Sequence, residues 1–123
     1  MNRIVLKGNV GQDPKITKFE DGMIAQFTLA TTERGYTTRS GKEVKEKTWW
    51  HNIVIRKAGL AGVVEKYVQK GTPVLVSGTY GYRDYERNGE QKRIYEVYAD
   101  ELELCGGQKK EESYDDLPPD FAL

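Results

Sequence analysis

The sequence predicts an all-β domain, a small antiparallel barrel carrying one helix. Two observations lead there. Apolar residues recur at period two along most of the chain, as in RIVLKGNV (3–10) and MIAQFTLAT (23–31). Only GLAGVVEKYVQKG (59–71) has helical spacing, with Leu60, Val63, Val64, Tyr67 and Val68 at i, i+3, i+4, i+7 and i+8.

Taken in order, the first strand sets Ile4 and Leu6 against Arg3, Val5 and Lys7, and stops at Gly11-Gln12-Asp13-Pro14. KITKF (15–19) is a short second strand, turned by Glu20-Asp21-Gly22 into a third in which Ala25, Phe27 and Leu29 share a face. Residues 33–47 are polar and lack periodicity, which fits a flexible loop or an extended hairpin arm. TWWHNIVIRK (48–57) is a strand, and Gly71 supplies a stop for the helix that follows. Two long strands then flank Asn88-Gly89, a two-residue hairpin turn. One helix among so many strands argues against parallel βαβ units. The order fits a five-stranded Greek-key barrel of the OB type, with an SH3-like barrel as the structural competitor.

The length of 123 residues suits one domain, and 37% hydrophobic against 31% charged residues gives it a very polar exterior. No apolar run approaches the roughly 20 residues of a membrane helix, and MNRIVLKGNVG enters a strand pattern without a signal or transit peptide. Cys105 is the one cysteine, which favours a reducing, cytoplasmic compartment. The formal net charge of zero is unevenly spread. Residues 105–123 hold two basic and five acidic side chains, leaving 17 basic against 14 acidic in residues 1–104. The expected division is a folded domain over 1–105 and a disordered linker and acidic tail over 106–123.

Strand parity divides the candidate functional residues. Trp49, His51, Ile53 and Ile55 fall on one face of their strand, which the isoleucines assign to the core or a subunit contact. Trp50, Asn52, Val54 and Arg56 fall on the other, a wet face. A turn at Asn88-Gly89 sets Tyr82 opposite Tyr95, with Tyr80 and Val97 on the same side. Arg83, Tyr85, Lys92, Ile94 and Tyr98 share the opposite side. Such cross-strand rings stabilise hairpins, which is reason enough for them to be there. Rings amid Arg and Lys also make stacking platforms beside phosphate partners, with little sequence preference because every base has a π-face. Arg34, Tyr36 and Arg39 repeat that mixture in the polar connection.

Catalytic motifs are lacking. His51 is the single histidine and faces inward, so neither a zinc site nor a nucleophilic triad is indicated. GNVGQDPK (8–15) lacks the Gly-Lys-Ser/Thr ending of a phosphate loop. Asp84, Glu86, Glu96, Asp100 and Glu101 offer carboxylates for a metal nuclease, mostly at solvent positions of the hairpin. The expectation is a binder rather than an enzyme, with no metal and no cofactor. The alternatives are an OB-type adaptor whose aromatic face binds protein, and the metal nuclease.

NRIVLKGNVGQDP (2–14), FTLATTE (27–33), WHNIVI (50–55), EKYVQKG (65–71) and VLVSG (74–78) together resemble the bacterial single-stranded DNA-binding protein family, in order, over residues 1 to about 104. The resemblance implies an OB-fold and a homotetramer in the cytoplasm, associated with the nucleoid. It implies sequence-independent binding and protection of single-stranded DNA in replication, repair and recombination, with no catalysis. Trp50 matches a family stacking position directly, Tyr85 falls on another, Tyr36 stands near a third, and Arg56 stands where the family has an aromatic residue. His51 matches a position near the subunit interface. The expected nucleic-acid contacts are therefore Trp50, Tyr36, Tyr85, Tyr82 and Arg56, with Arg34, Arg39, Lys57, Lys70 and Arg83 for phosphates. The tail resembles the family's docking peptide for replication and repair proteins through Asp115, Asp116, Leu117, Pro118 and Phe121. It departs in that Phe121 is displaced from Pro118 and two residues follow it.

Overall fold

The computed structural model describes residues 1–105. Its elements are β1 (Ile4–Val10), β2 (Lys15–Phe19), β3 (Gly22–Glu33), β4 (Tyr36–Thr37), β5 (Glu43–Val44), β6 (Lys47–Ile55), α1 (Ala58–Tyr67), β7 (Pro73–Arg87) and β8 (Glu90–Leu104). The strand order is β1-β7-β8-β6-β3-β2, and β1 also pairs with β3. That last pairing, Asn9 with Ala30 and Val10 with Leu29, closes five strands into a barrel and leaves β2 as a flap on β3. The five-stranded Greek-key barrel with one helix is thus present. The closing crossing is tight: a Cβ on Gly8 would fall on the backbone carbonyl of Ala30.

Period-two patterning fills the interior. Ala25, Phe27, Leu29, Ile53, Ile55, Val74, Val76 and Val97 are buried, and Ala61, Val64 and Val68 of the helical segment pack into the same core. Tyr67, part of that apolar face by spacing, is exposed instead, and the helix ends there rather than running on to Gly71. One pairing departs from the antiparallel expectation. β6 and β8 run parallel over Asn52–Val54 and Glu96–Tyr98, because β7 carries the chain back between them. The polar connection is a small two-stranded arm, Tyr36–Thr37 against Glu43–Val44, which is the extended-hairpin option.

The β7–β8 hairpin has the predicted register, with Arg87 facing Glu90 and Tyr82 facing Tyr95. Asn88 and Gly89 have φ of 54° and 78°, the positive values a two-residue turn of this kind demands. A bulge at Ser77/Gly78 gives β8 one extra residue, Asp100, whose carboxylate accepts two hydrogen bonds of 2.9 Å from Arg3. Among the described residues no helix is long and apolar enough to cross a membrane.

Candidate nucleic-acid interface

One outer sheet face collects four of the ten predicted residues, Trp50, Arg56, Arg83 and Tyr85. Side chains on paired strand residues project to the same side. Trp50, Asn52 and Val54 of β6 pair with Ala30, Thr28 and Gln26 of β3. On the other flank Asn52 and Val54 pair with Glu96 and Tyr98 of β8. These in turn face Gly81 and Thr79 of β7, and next along the hairpin Arg83 meets Ile94 and Tyr85 meets Lys92. The face therefore runs without a break from Trp50 across the barrel to Tyr85.

Trp50 stands proud of this face at 63% exposure. The Cζ3 edge of its ring lies against Gly11: a Cβ there would collide with the ring and come within 2.7 Å of the Thr28 hydroxyl oxygen. The indole otherwise remains widely exposed. Arg56 lies 4.3 Å over the ring of Tyr98, so the position where the resemblance implies an aromatic residue holds a cation–π pair. The Tyr98 hydroxyl donates to Glu96 Oε1 at 2.8 Å, and Arg83 Nε donates to the same oxygen at 3.0 Å. Glu96 is only 4% exposed, so these donors replace the water it has lost. The carboxylate holds the Arg83 guanidinium above its ordinary pKa and pushes the Tyr98 phenol up as well. Arg83 also lies 6.0 Å from the Tyr85 ring, which is 37% exposed.

The remaining predicted residues lie elsewhere. Tyr36, 61% exposed, sits on the β4–β5 arm, with Arg34 and Arg39 near it in sequence. Lys57 is the residue before α1, and Lys70 follows the helix, its backbone N–H donating to Asp13 Oδ1 at 2.8 Å. Both lysines are exposed. Tyr82 projects from the opposite side of the hairpin to Arg83 and Tyr85. It meets Tyr95 edge-on at 5.8 Å and lies 4.1 Å beneath Arg93. Asp115, Asp116, Leu117, Pro118 and Phe121 lie outside the described residues.

Parity alone misplaces Val54 and leaves Trp49 undecided. It leaves Trp49 to the core or a subunit contact, and the core is excluded: Trp49 is 45% exposed, its ring N–H donates to Glu33 and Lys47 lies 3.9 Å above it. It puts Val54 on a wet face, yet Val54 is buried beneath its neighbours there. His51 is half-buried and within 2.8 Å of the Thr31 hydroxyl, and burial lowers its pKa from the ordinary histidine value. Most of the carboxylates considered for a nuclease are paired off: Asp84 with Arg93, Glu96 with Arg83, and Asp100 and Glu101 with Arg3. Neither the contact of Gly11 with the edge of Trp50 nor the burial of Glu96 is apparent from the sequence. The contact joins segments far apart in the chain, and Glu96 has the pattern of any polar hairpin residue.

The model of the Single-strand binding protein family matches residues 1–105. The single-stranded DNA-binding protein of Bacteroides thetaiotaomicron is 42% identical over 106 residues, which cover 85% of this chain and 65% of that protein. That of Rickettsia felis is 42% identical over 99 residues, 79% of this chain and 64% of that protein. The chain thus spans just under two thirds of the length of these relatives. A solved Plasmodium falciparum SSB complex with ssDNA has a TM-score of 0.78 and 33% identity, covering 86% of this chain and 96% of that one. A small single-stranded DNA-binding protein from Streptomyces coelicolor shares the fold at a TM-score of 0.66 and 22% identity, over 83% of this chain and 92% of that one.

Proposed function

This chain belongs to the Single-strand binding protein family, and on that premise we propose that it binds single-stranded DNA along the outer face of β3, β6 and β8 and the front of the β7–β8 hairpin. Trp50 and Tyr85 receive unpaired bases, and Tyr36 on the arm adds a third ring. The Arg56–Tyr98 pair offers a cation-capped surface on the same face. Arg34, Arg39, Lys57, Lys70 and Arg83 neutralise phosphates. The protein acts without turnover, holding and protecting DNA strands during replication, repair and recombination in the cytoplasm, as a homotetramer. The acidic tail, through Asp115, Asp116, Leu117, Pro118 and Phe121, docks partner proteins. The observation that carries the DNA-binding reading is the alignment of exposed rings and cations on one uninterrupted sheet face, with the edge of Trp50 set against Gly11. The solved complex of a relative with ssDNA supports it.

Titration with oligo-dT, followed by tryptophan fluorescence at several salt concentrations, tests this reading. Binding should weaken as salt rises, with a slope of log K against log salt of about −0.7 for each phosphate neutralised on a single strand. Absence of binding, or binding indifferent to salt, would overturn it. Mass measurement in solution tests the tetramer separately.

A further inference from the structure

Between Trp50 and the Arg56–Tyr98 pair the outer face sinks into a recess of about 230 Å³. At roughly 30 Å³ of liquid per water molecule, that is the room of about seven or eight waters. The outward residues along β6 and just past its end are Trp50, Asn52, Val54 and Arg56, and the recess takes the middle two. At one end Thr28 and the edge of Trp50 flank the same point above Gly11. At the other stands Tyr98, opposite Val54 in the parallel seam. Lys15 of β2, paired with Gln26, closes one flank, and Arg83 and Ile94 of the hairpin close the other.

Donors dominate the lining. Lys15, Gln12, Gln26 and Thr28 each have hydrogens to give. Asn52 spends one Nδ2 hydrogen on the Tyr95 carbonyl at 3.2 Å and keeps the other. Arg83 turns Nε and Nη2 to Glu96 and keeps both hydrogens of Nη1. Glu96, the one carboxylate of the lining, is 4% exposed beneath Arg83 and Tyr98, and Arg83 answers its charge. Lys15 has no ion pair among the described residues, so one cation is left over. The lining also lacks a ring on which a base could stack, since its single aromatic residue, Phe27, is buried in the core. What suits this recess is an anion with an apolar neighbour to lay on Val54 and Ile94, and a sugar–phosphate unit is such a group.

We propose that the recess seats one backbone phosphate of the bound strand, with Lys15 neutralising it and Asn52 and Gln12 donating to its oxygens. The proposal rests on the single-strand-binding reading above and extends the contact surface onto β2. A strand with one base on Trp50 and another at the Arg56–Tyr98 pair carries its backbone over the recess, so the seat fixes the path between the two platforms. It adds affinity without sequence preference, because every nucleotide brings the same phosphate.

Titrating oligo-dT into Lys15→Gln at several salt concentrations tests the seat. The variant should lose about three- to tenfold in affinity at about 0.1 M salt, and its slope of log K against log salt should flatten by about 0.7 for each recess the oligomer occupies. Lys15→Arg should keep the parent's slope. The fluorescence change at saturation should persist in both, because Trp50 still stacks, and oligo-dC should show the same loss as oligo-dT. Lys18→Gln controls for charge at a distance: Lys18 lies on the same strand but pairs with Glu65 at 3.0 Å, and its loss should leave the slope alone. An unchanged slope in a folded Lys15→Gln, equal flattening in Lys18→Gln, or a loss confined to one homopolymer would each overturn the seat and leave the binding surface standing. Binding of no oligomer by the parent would remove the binding surface and the seat together.

Discussion

Trp50 owes its availability to a residue 39 positions earlier in the chain. Gly11 brings backbone, with no side chain, against the Cζ3 edge of the indole and so sets where the exposed ring sits. A methyl group there has no room unless the ring moves. Gly11→Ala should therefore weaken oligo-dT binding about three- to tenfold, a part of the roughly 1–3 kcal/mol a stacked base contributes. It should also shrink the fluorescence change on binding, while circular dichroism reports an intact fold. His51 gives another residue-scale expectation. Burial lowers its pKa in the folded protein, so the unfolded chain binds the proton more readily. The stability it contributes is complete above its ordinary value of 6.5 and is lost as pH falls through the lowered one. Denaturant midpoints measured from about pH 7.5 down to about 5 should fall more for the parent than for His51→Gln. Parity reveals which way Trp50 points, because the isoleucines of its strand fix the inside. It cannot show that Gly11 meets the edge of Trp50, since the two come together only through the barrel, nor choose between core and subunit contact for Trp49.

The β7–β8 hairpin is an element with two chemical faces. The front carries Arg83, Tyr85 and Lys92, continuous with the barrel's outer face. The back carries Tyr80, Tyr82 and Tyr95, with Tyr80 and Tyr95 nearly parallel at 6.1 Å and Asp84 and Glu86 diluting Arg93. Stacking beside cations belongs to the front, and ring-on-ring packing to the back. Tyr85→Ala should thus weaken oligo-dT binding several-fold. Tyr82→Ala should change it less than about twofold and show instead as lost stability in thermal unfolding. A larger loss of affinity for Tyr82→Ala than for Tyr85→Ala would reverse the assignment of the faces. The two faces are legible in the sequence because Asn88-Gly89 fixes the register and the bulge at Ser77/Gly78 lies outside the aromatic stretch. Which of them continues the barrel's binding side is not, since that depends on how the hairpin leaves the barrel. The arm over 33–47 stays open between loop and hairpin for want of any apolar pattern.

For the molecule as a whole, closure matters most. β1 joins β3 across the Gly8 crossing and β6 meets β8 in parallel, so four strands bring their outward residues to one surface. The order of elements indicates a barrel, but the parallel seam that unites Asn52 with Glu96 has no local signal, being set by a strand that comes between them in sequence. In the function proposed above, the surplus of basic groups in residues 1–104, hidden by a net charge of zero, supplies the long-range attraction, and the rings supply the grip. That division of labour is tested most directly by titrating oligo-dT into the parent and into Trp50→Ala at matched salt. The folded variant is predicted to lose roughly 1–3 kcal/mol of affinity while keeping the parent's salt slope. A folded Trp50→Ala protein that binds as tightly as the parent would contradict the account.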